Sequence, residues 1–220
     1  MAFKLSKAIK GILLNKVFDL LIVIVGVSIA FQLNNLKQHS DQQSLEQFYL
    51  KSLGEDVAKD VKKVNEILIE LKSDLAAAED CLQNNIEINR LEPAVMKILS
   101  FETFNDRNEN TYRTLINGGG LTAINDQQLR SSITEYYQGY GNIDRFESVY
   151  TEFLLNHFNT HFSPHYSYAT QKLTDLTLLK DVQTKNNLVI VKSQLSEGIE
   201  AYEEVLEKAI RLSKALDSKQ

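Results

Sequence analysis

Residues 20–31 read LLIVIVGVSIAF, twelve positions without a charge, and Lys4, Lys7, Lys10 and Lys16 precede them. Extended to 17–33, the apolar run makes about 25 Å of helix at roughly 1.5 Å per residue, close to the roughly 30 Å of a bilayer core. Asp19 is the one charge inside it. The pattern predicts a membrane span over 17–35. With lysines on one side only, residues 1–16 are expected to stay in the cytoplasm and residues 36–220 to be exported. Phe3, Ile9, Ile12 and Leu13 fall opposite the lysines, as in a short helix lying on the inner lipid surface. A cleaved secretory signal is the competing reading, since Ser28-Ile29-Ala30 has a small-x-small form. Against cleavage, the apolar pattern runs on into Gln32-Leu33-Asn34-Asn35-Leu36 without a breaker.

Beyond the span the apolar positions step by threes and fours. Leu53, Val57, Val61, Val64, Leu68, Leu71, Leu75, Ala78 and Leu82 form a nearly heptad seam, which predicts a long helix over 45–89 that continues from the span. Glu55, Lys59, Asp60, Lys62, Lys63, Glu66, Glu70, Lys72 and Asp74 lie between them and read as a solvated face. Shorter elements follow over 93–104, opened by Pro93, and over 111–117, ended by Gly118-Gly119-Gly120. A helix over 127–140 is capped by Asp126 and loosened at Gly139 and Gly141, before another over 143–162 that Pro164 ends. Residues 167–185 read as loop with a turn or two of helix. The last long helix, 186–216, puts Leu188, Val191, Leu195, Ile199, Tyr202, Leu206, Ile210 and Leu216 on one face. No alternation of period two lasts long enough for a sheet. The expected fold is all-α: one transmembrane helix continuing into an antiparallel helical bundle.

Charge sharpens the division. Residues 1–35 carry net +3, leaving −8 for the remainder of a chain whose total is −5. An acidic exported domain has no basic face for phosphate, so nucleic acid is not an expected partner. Cys81 is the single cysteine, which excludes an intrachain disulfide and a cysteine-rich zinc site.

FDLLIVIVGVSIAFQLNNLKQ, followed by LEQFYLKSLGEDVAKDV, and then TYRTLINGGGLTAINDQQLRSSITEYYQGY carry a likeness to known proteins. The chain resembles a family of small uncharacterised single-span membrane proteins of Bacteroidota, marked by a lysine-rich start, a VxxGxxIAxQxNN span and a helical exported domain. The likeness runs over nearly the whole chain. It departs at Leu36, where a typical member has tryptophan. It implies a topology and brings no assigned activity.

Candidate chemistry is sparse. Asp19, Gly26 and Ala30 share one stripe of the span, and Gly26-x-x-x-Ala30 would let helix backbones approach closely. A carboxylate at the hydrocarbon edge turns to protein or water, so Asp19 either bonds across an interface or snorkels to the headgroups beside Lys16. Gln32, Asn34 and Asn35, at the exported end, are a possible polar interface between helices. His157 and His161 would share a helical face, yet no HExxH glutamate lies between them, so a surface or partly packed pair is expected rather than a metal site. The aromatics Tyr136, Tyr137, Tyr140, Phe146, Tyr150, Phe153, Phe158 and Phe162 read as core. The triple glycine lacks a phosphate-cradle motif, and neither a GxSxG nor a Cys–His arrangement is present.

These features predict a non-enzyme without a cofactor, anchored in the inner membrane with its bundle in the periplasm. The expected role is an interaction or scaffold protein that contacts lipid and forms homo-oligomers or envelope complexes. The alternative is a ligand-sensing bundle, its pocket among the 136–150 aromatics, signalling through a partner.

Overall fold

The computed structural model describes residues 7–83 and 86–219, with side chains from Lys16 onward apart from Val17. The amphipathic face expected for residues 1–16 lies outside the described side chains. The chain is 85% helical and nearly all-α, and its contacts divide it into two units after Phe48.

In the first unit the described residues lie in helix α1, Lys7–Gln83. Its apolar stretch is long enough to cross a membrane, and none of that stretch is buried within the chain. Every residue of 18–34 is exposed, including Phe18, Ile22, Val27 and Phe31.

The second unit is built on the remainder of α1, with α4 (Gln127–Phe153) and α6 (Val182–Asp217). Helices α2 (Ile88–Leu99) and α3 (Asn110–Asn117) fill the connection between α1 and α4. Lys72 pairs with Glu203 and Glu79 with Lys192, so α6 runs antiparallel to α1. Asn142 meets Glu204 and the Gly198 backbone meets Phe146, so α6 is antiparallel to α4 as well. Helices α1 and α4 instead run parallel: Asp60 reaches Tyr136 and Tyr140, while Asp74, further along, acts on Tyr150. Among the three long helices the antiparallel arrangement therefore holds for α6 against the other two, because the chain runs back along α1 through α2, with Arg90 on Asp80 and Lys97 on Ser73, before α4 begins.

Several boundaries differ from the sequence expectation, each for a local reason. Helix α2 starts at Ile88, with Pro93 inside it rather than opening it. Gly139 and Gly141 do not loosen α4, which is continuous. Gly139 sits where a Cβ would be 3.0 Å from Val205 Cγ2, so it lets α6 approach. Gly198 does the same for α6, since a Cβ there would stand 2.3 Å from the Phe146 ring. A π turn, Leu154–Phe158, follows α4. It absorbs the five-residue step from Phe153 to Phe158, keeping both rings buried, along with Phe162 of the short helix α5 (Asn159–Phe162). Residues Tyr166–Ser167 (β1) and Lys172–Leu173 (β2) pair as a small antiparallel hairpin where only loop and helical turns were expected. Asp126 caps α4 as expected, accepting from the N–H groups of Gln128 and Leu129. Asp181 caps α6 at Val182, four residues ahead of the expected start at 186.

The seam of α6 also drifts. Tyr202, Val205, Ala209, Leu212 and Leu216 are buried, whereas Ile210 is 39% exposed. Two successive four-residue steps rotate away from a face at 3.6 residues per turn, and alternating threes and fours stay on it.

Candidate functional site

The inward face of the second-unit part of α1 repeats every seven residues in two rows. Leu50, Val57, Val64, Leu71 and Ala78 form one; Leu53, Asp60, Ile67, Asp74 and Cys81 form the other. Asp60 is fully buried and Asp74 is 3% exposed. Both were expected on the solvated face. Of the other positions expected on the seam, Leu68 is buried, while Val61, Leu75 and Leu82 are partly buried on the flank of this face. Counting heptads from Leu53 finds the two aspartates, but their polarity argues against a core position, and hydrophobic spacing therefore passes them over.

Asp60 is enclosed by donors. Its Oδ2 accepts from the Tyr136 hydroxyl at 2.9 Å and the Tyr140 hydroxyl at 2.6 Å. Those two hydroxyl oxygens lie 2.5 Å apart. Its Oδ1 accepts from the Asn108 backbone N–H at 3.2 Å and side-chain amide at 2.7 Å. Burial raises the pKa of both tyrosines far above the ordinary phenol range, so they remain neutral donors. One turn earlier, Asp56 accepts from the Thr111 hydroxyl.

Glu147 of α4 is the second buried acid on this level. Its Oε1 accepts from the Phe104 N–H at 2.6 Å and from the Tyr202 hydroxyl. Arg107 lies 3.3 Å from its Oε2, pairs with Asp144 at 2.5 Å, donates to the Phe104 carbonyl and stacks over the Tyr140 ring. Residues 100–109, which follow α2 because that helix ends at Leu99 and not at the expected 104, are thus clamped to the bundle by two buried carboxylates. A buried carboxylate is costly unless its oxygens are bonded, and here they are. The arrangement holds a loop in place and leaves no free acid or base.

Asp74 stands in a different environment. Its Oδ1 is buried with no hydrogen-bond partner, as is the Tyr150 hydroxyl. It lines a cavity of about 360 Å³ between α1 and residues 100–102. Burial raises its pKa from 3.8 to about 7, with Glu70 adding to the shift and Lys97 opposing it. Tyr150 meets the Phe101 ring edge-on at 4.9 Å and stacks on Phe146 at 5.5 Å. Among the 136–150 aromatics, Tyr136 and Tyr140 are occupied by Asp60, and Tyr137 by stacking on Tyr112 at 4.0 Å. Open space therefore lies beside Phe101 rather than among these rings.

The residues singled out in the span are not brought together with any other part of the chain. Asp19, Gly26, Ala30, Gln32 and Asn34 are exposed and Asn35 half-exposed. A Cβ at Gly26 would meet nothing within 4 Å. The histidines find different neighbours. His157 is exposed beside Phe153, His161 lies 2.9 Å from the Thr184 hydroxyl, and His165 faces Asp175 at 3.5 Å. Among the described residues no three His, Cys, Asp or Glu side chains gather to hold a metal ion. Cys81 is buried, and its thiol is pushed up to about 11 by burial and by Asp80.

A protein family described as a family of unknown function (DUF6090) matches residues 19–196. No curated protein and no solved structure matches the chain.

Proposed function

The chain belongs to this family of unknown function, which names no reaction, and we propose that it is a membrane-anchored interaction protein rather than an enzyme. Residues 17–35 cross the inner membrane of a Bacteroidota-type envelope. The lysine-rich start stays in the cytoplasm and the helical bundle stands in the periplasm. It acts as a scaffold subunit by self-association or by assembly with envelope partners. The observation that carries this reading is the uninterrupted exposure of residues 18–34, an apolar surface that nothing in the chain covers. Such a surface in water would be a severe liability, whereas lipid satisfies it.

Within lipid, apolar burial no longer drives helices together. Close packing at small residues does, which gives Gly26 and Ala30 their part on the stripe with Asp19. Gln32, Asn34 and Asn35 would bond between helices at the exported end. The test is the mass of the intact complex in mild detergent. An assembly in the wild type that shrinks in Gly26→Leu supports the reading; a monomeric wild type removes it. Protease added outside spheroplasts should degrade the chain beyond about Leu36, and a C-terminal enzyme tag active only in the cytoplasm would overturn the orientation.

A further inference from the structure

The cavity at Asp74 has a definite chemical character, independent of how the anchor assembles. Its walls carry Glu66, Glu70, Asp74 and Glu102 against the single ammonium of Lys63, which reaches Glu102 at 4.0 Å. Acidic walls alone would be an ordinary solvated face. What sets this one apart is Asp74, 97% buried, with one oxygen bonded to nothing. Buried polar groups are almost always paired, so an orphan carboxylate oxygen at a cavity asks for a donor. Lys97, the cation whose charge acts on Asp74, donates to the Ser73 hydroxyl. Ile67, Leu71 and the Phe101 ring form the apolar part of the wall, and Ser100 completes it. A volume of about 360 Å³ is at the small end of ligand pockets.

We propose that this cavity binds a small organic ammonium ion, its N–H groups bonded to the Asp74 carboxylate and its alkyl part against Phe101, Ile67 and Leu71. A cation there removes the cost of the buried negative charge, and the Phe101 ring gives its alkyl part an apolar surface. A bare metal ion fits poorly, since one buried carboxylate and an aromatic wall supply too few oxygen ligands. An anion would meet four carboxylates. The site would give the ligand-sensing alternative a location.

Binding is coupled to protons. The groups facing Asp74 are Glu66, Glu70 and Lys63 on α1, Lys97 on α2, Glu102 after it, and Tyr150 on α4. At pH 6 Asp74 holds its proton and must release it for the cation to pair; at pH 8 it is already ionised.

The experiment titrates the full chain in detergent with n-butylammonium chloride by calorimetry, with neutral 1-butanol as the matched control. Expected are saturable binding of the amine, little of the alcohol, and affinity about tenfold higher at pH 8 than at pH 6. At pH 6 close to one proton should be released per ligand, read from buffers of different ionisation heat. Asp74→Asn, with unchanged helicity, should lose at least tenfold; Phe101→Leu should lose severalfold and covers the case in which the first variant misfolds. No heat from butylammonium at about 10 mM, equal binding of butanol, or full affinity in both variants would each overturn the site.

Discussion

Asp60 and Asp74 sit in the same row of α1, two heptads apart, and both are buried, yet one is saturated and the other is starved. Around Asp60 α4 supplies two phenols, and Asn108 supplies its backbone N–H and its side-chain amide. At the level of Asp74, where α2 ends, the returning chain brings Phe101 and a cavity beside the carboxylate and no donor within bonding distance of its Oδ1. Neither residue carries its role alone. The loop over 100–109 and α4 decide it together: Asn108, Tyr136 and Tyr140 bring donors to one aspartate, and Phe101 brings an aromatic ring beside the other. A charge that organises a core and a charge available to a ligand differ here in what stands opposite, not in helix position.

The largest effect should come from Asp60→Ala. It leaves two tyrosine hydroxyls and the Asn108 donors buried without an acceptor, a loss of about 3–5 kcal/mol. For the full chain followed by circular dichroism, the melting midpoint should fall by roughly 10 °C. A change under about 1 kcal/mol would show that the cage contributes little. Arg107→Met tests the other half of the clamp. Glu147 would keep Tyr202 and the Phe104 N–H but lose its cation, at about 2 kcal/mol in the same melt. A loop that loosens without unfolding would appear as faster amide exchange over 100–109.

Asp74→Asn should behave in the opposite way. Its folded pKa is raised, so the fold favours the protonated acid. That contribution is complete below about pH 4 and is lost as pH rises toward 7. Wild-type stability should therefore decline through that window relative to the variant, and Asp74→Asn should be the more stable above pH 7. The gain should stay well below the about 4 kcal/mol that three pKa units would carry, because the cavity opens to solvent. Equal pH profiles for the two proteins would mean that Asp74 is paired in solution.

The smallest effect concerns the next residue of the row, Cys81. With its thiol pushed up to about 11, the thiolate is scarce near neutrality. Alkylation by iodoacetamide at pH 7.5 should be at least about a hundredfold slower in the folded chain than after denaturation. Fast labelling of the native protein would show that this end of α1 opens.

Much of the architecture was legible along the chain. The apolar run of 20–31 and its exposure, the row through Val57, Val64, Leu71 and Ala78, the Asp126 cap and the stop at Pro164 all follow from local rules. They depend on residues within a few turns of each other, which is the range that spacing and capping report. The second row of the α1 seam was hidden by its two aspartates, because hydrophobic spacing cannot distinguish a polar core position from a solvated one. The drift of the α6 seam to Val205, Ala209 and Leu212 follows from the 3.6-residue turn, and what the sequence leaves open is that Val205 packs on Gly139 of α4. The parallel course of α1 and α4 likewise depends on where α2 and α3 return the chain. That Asp60 is caged and Asp74 faces a cavity is a matter of donors arriving from residues far along the sequence. Only the tertiary fold decides it, since hydrogen bonding depends on position within a few tenths of an ångström and local periodicity carries no such information.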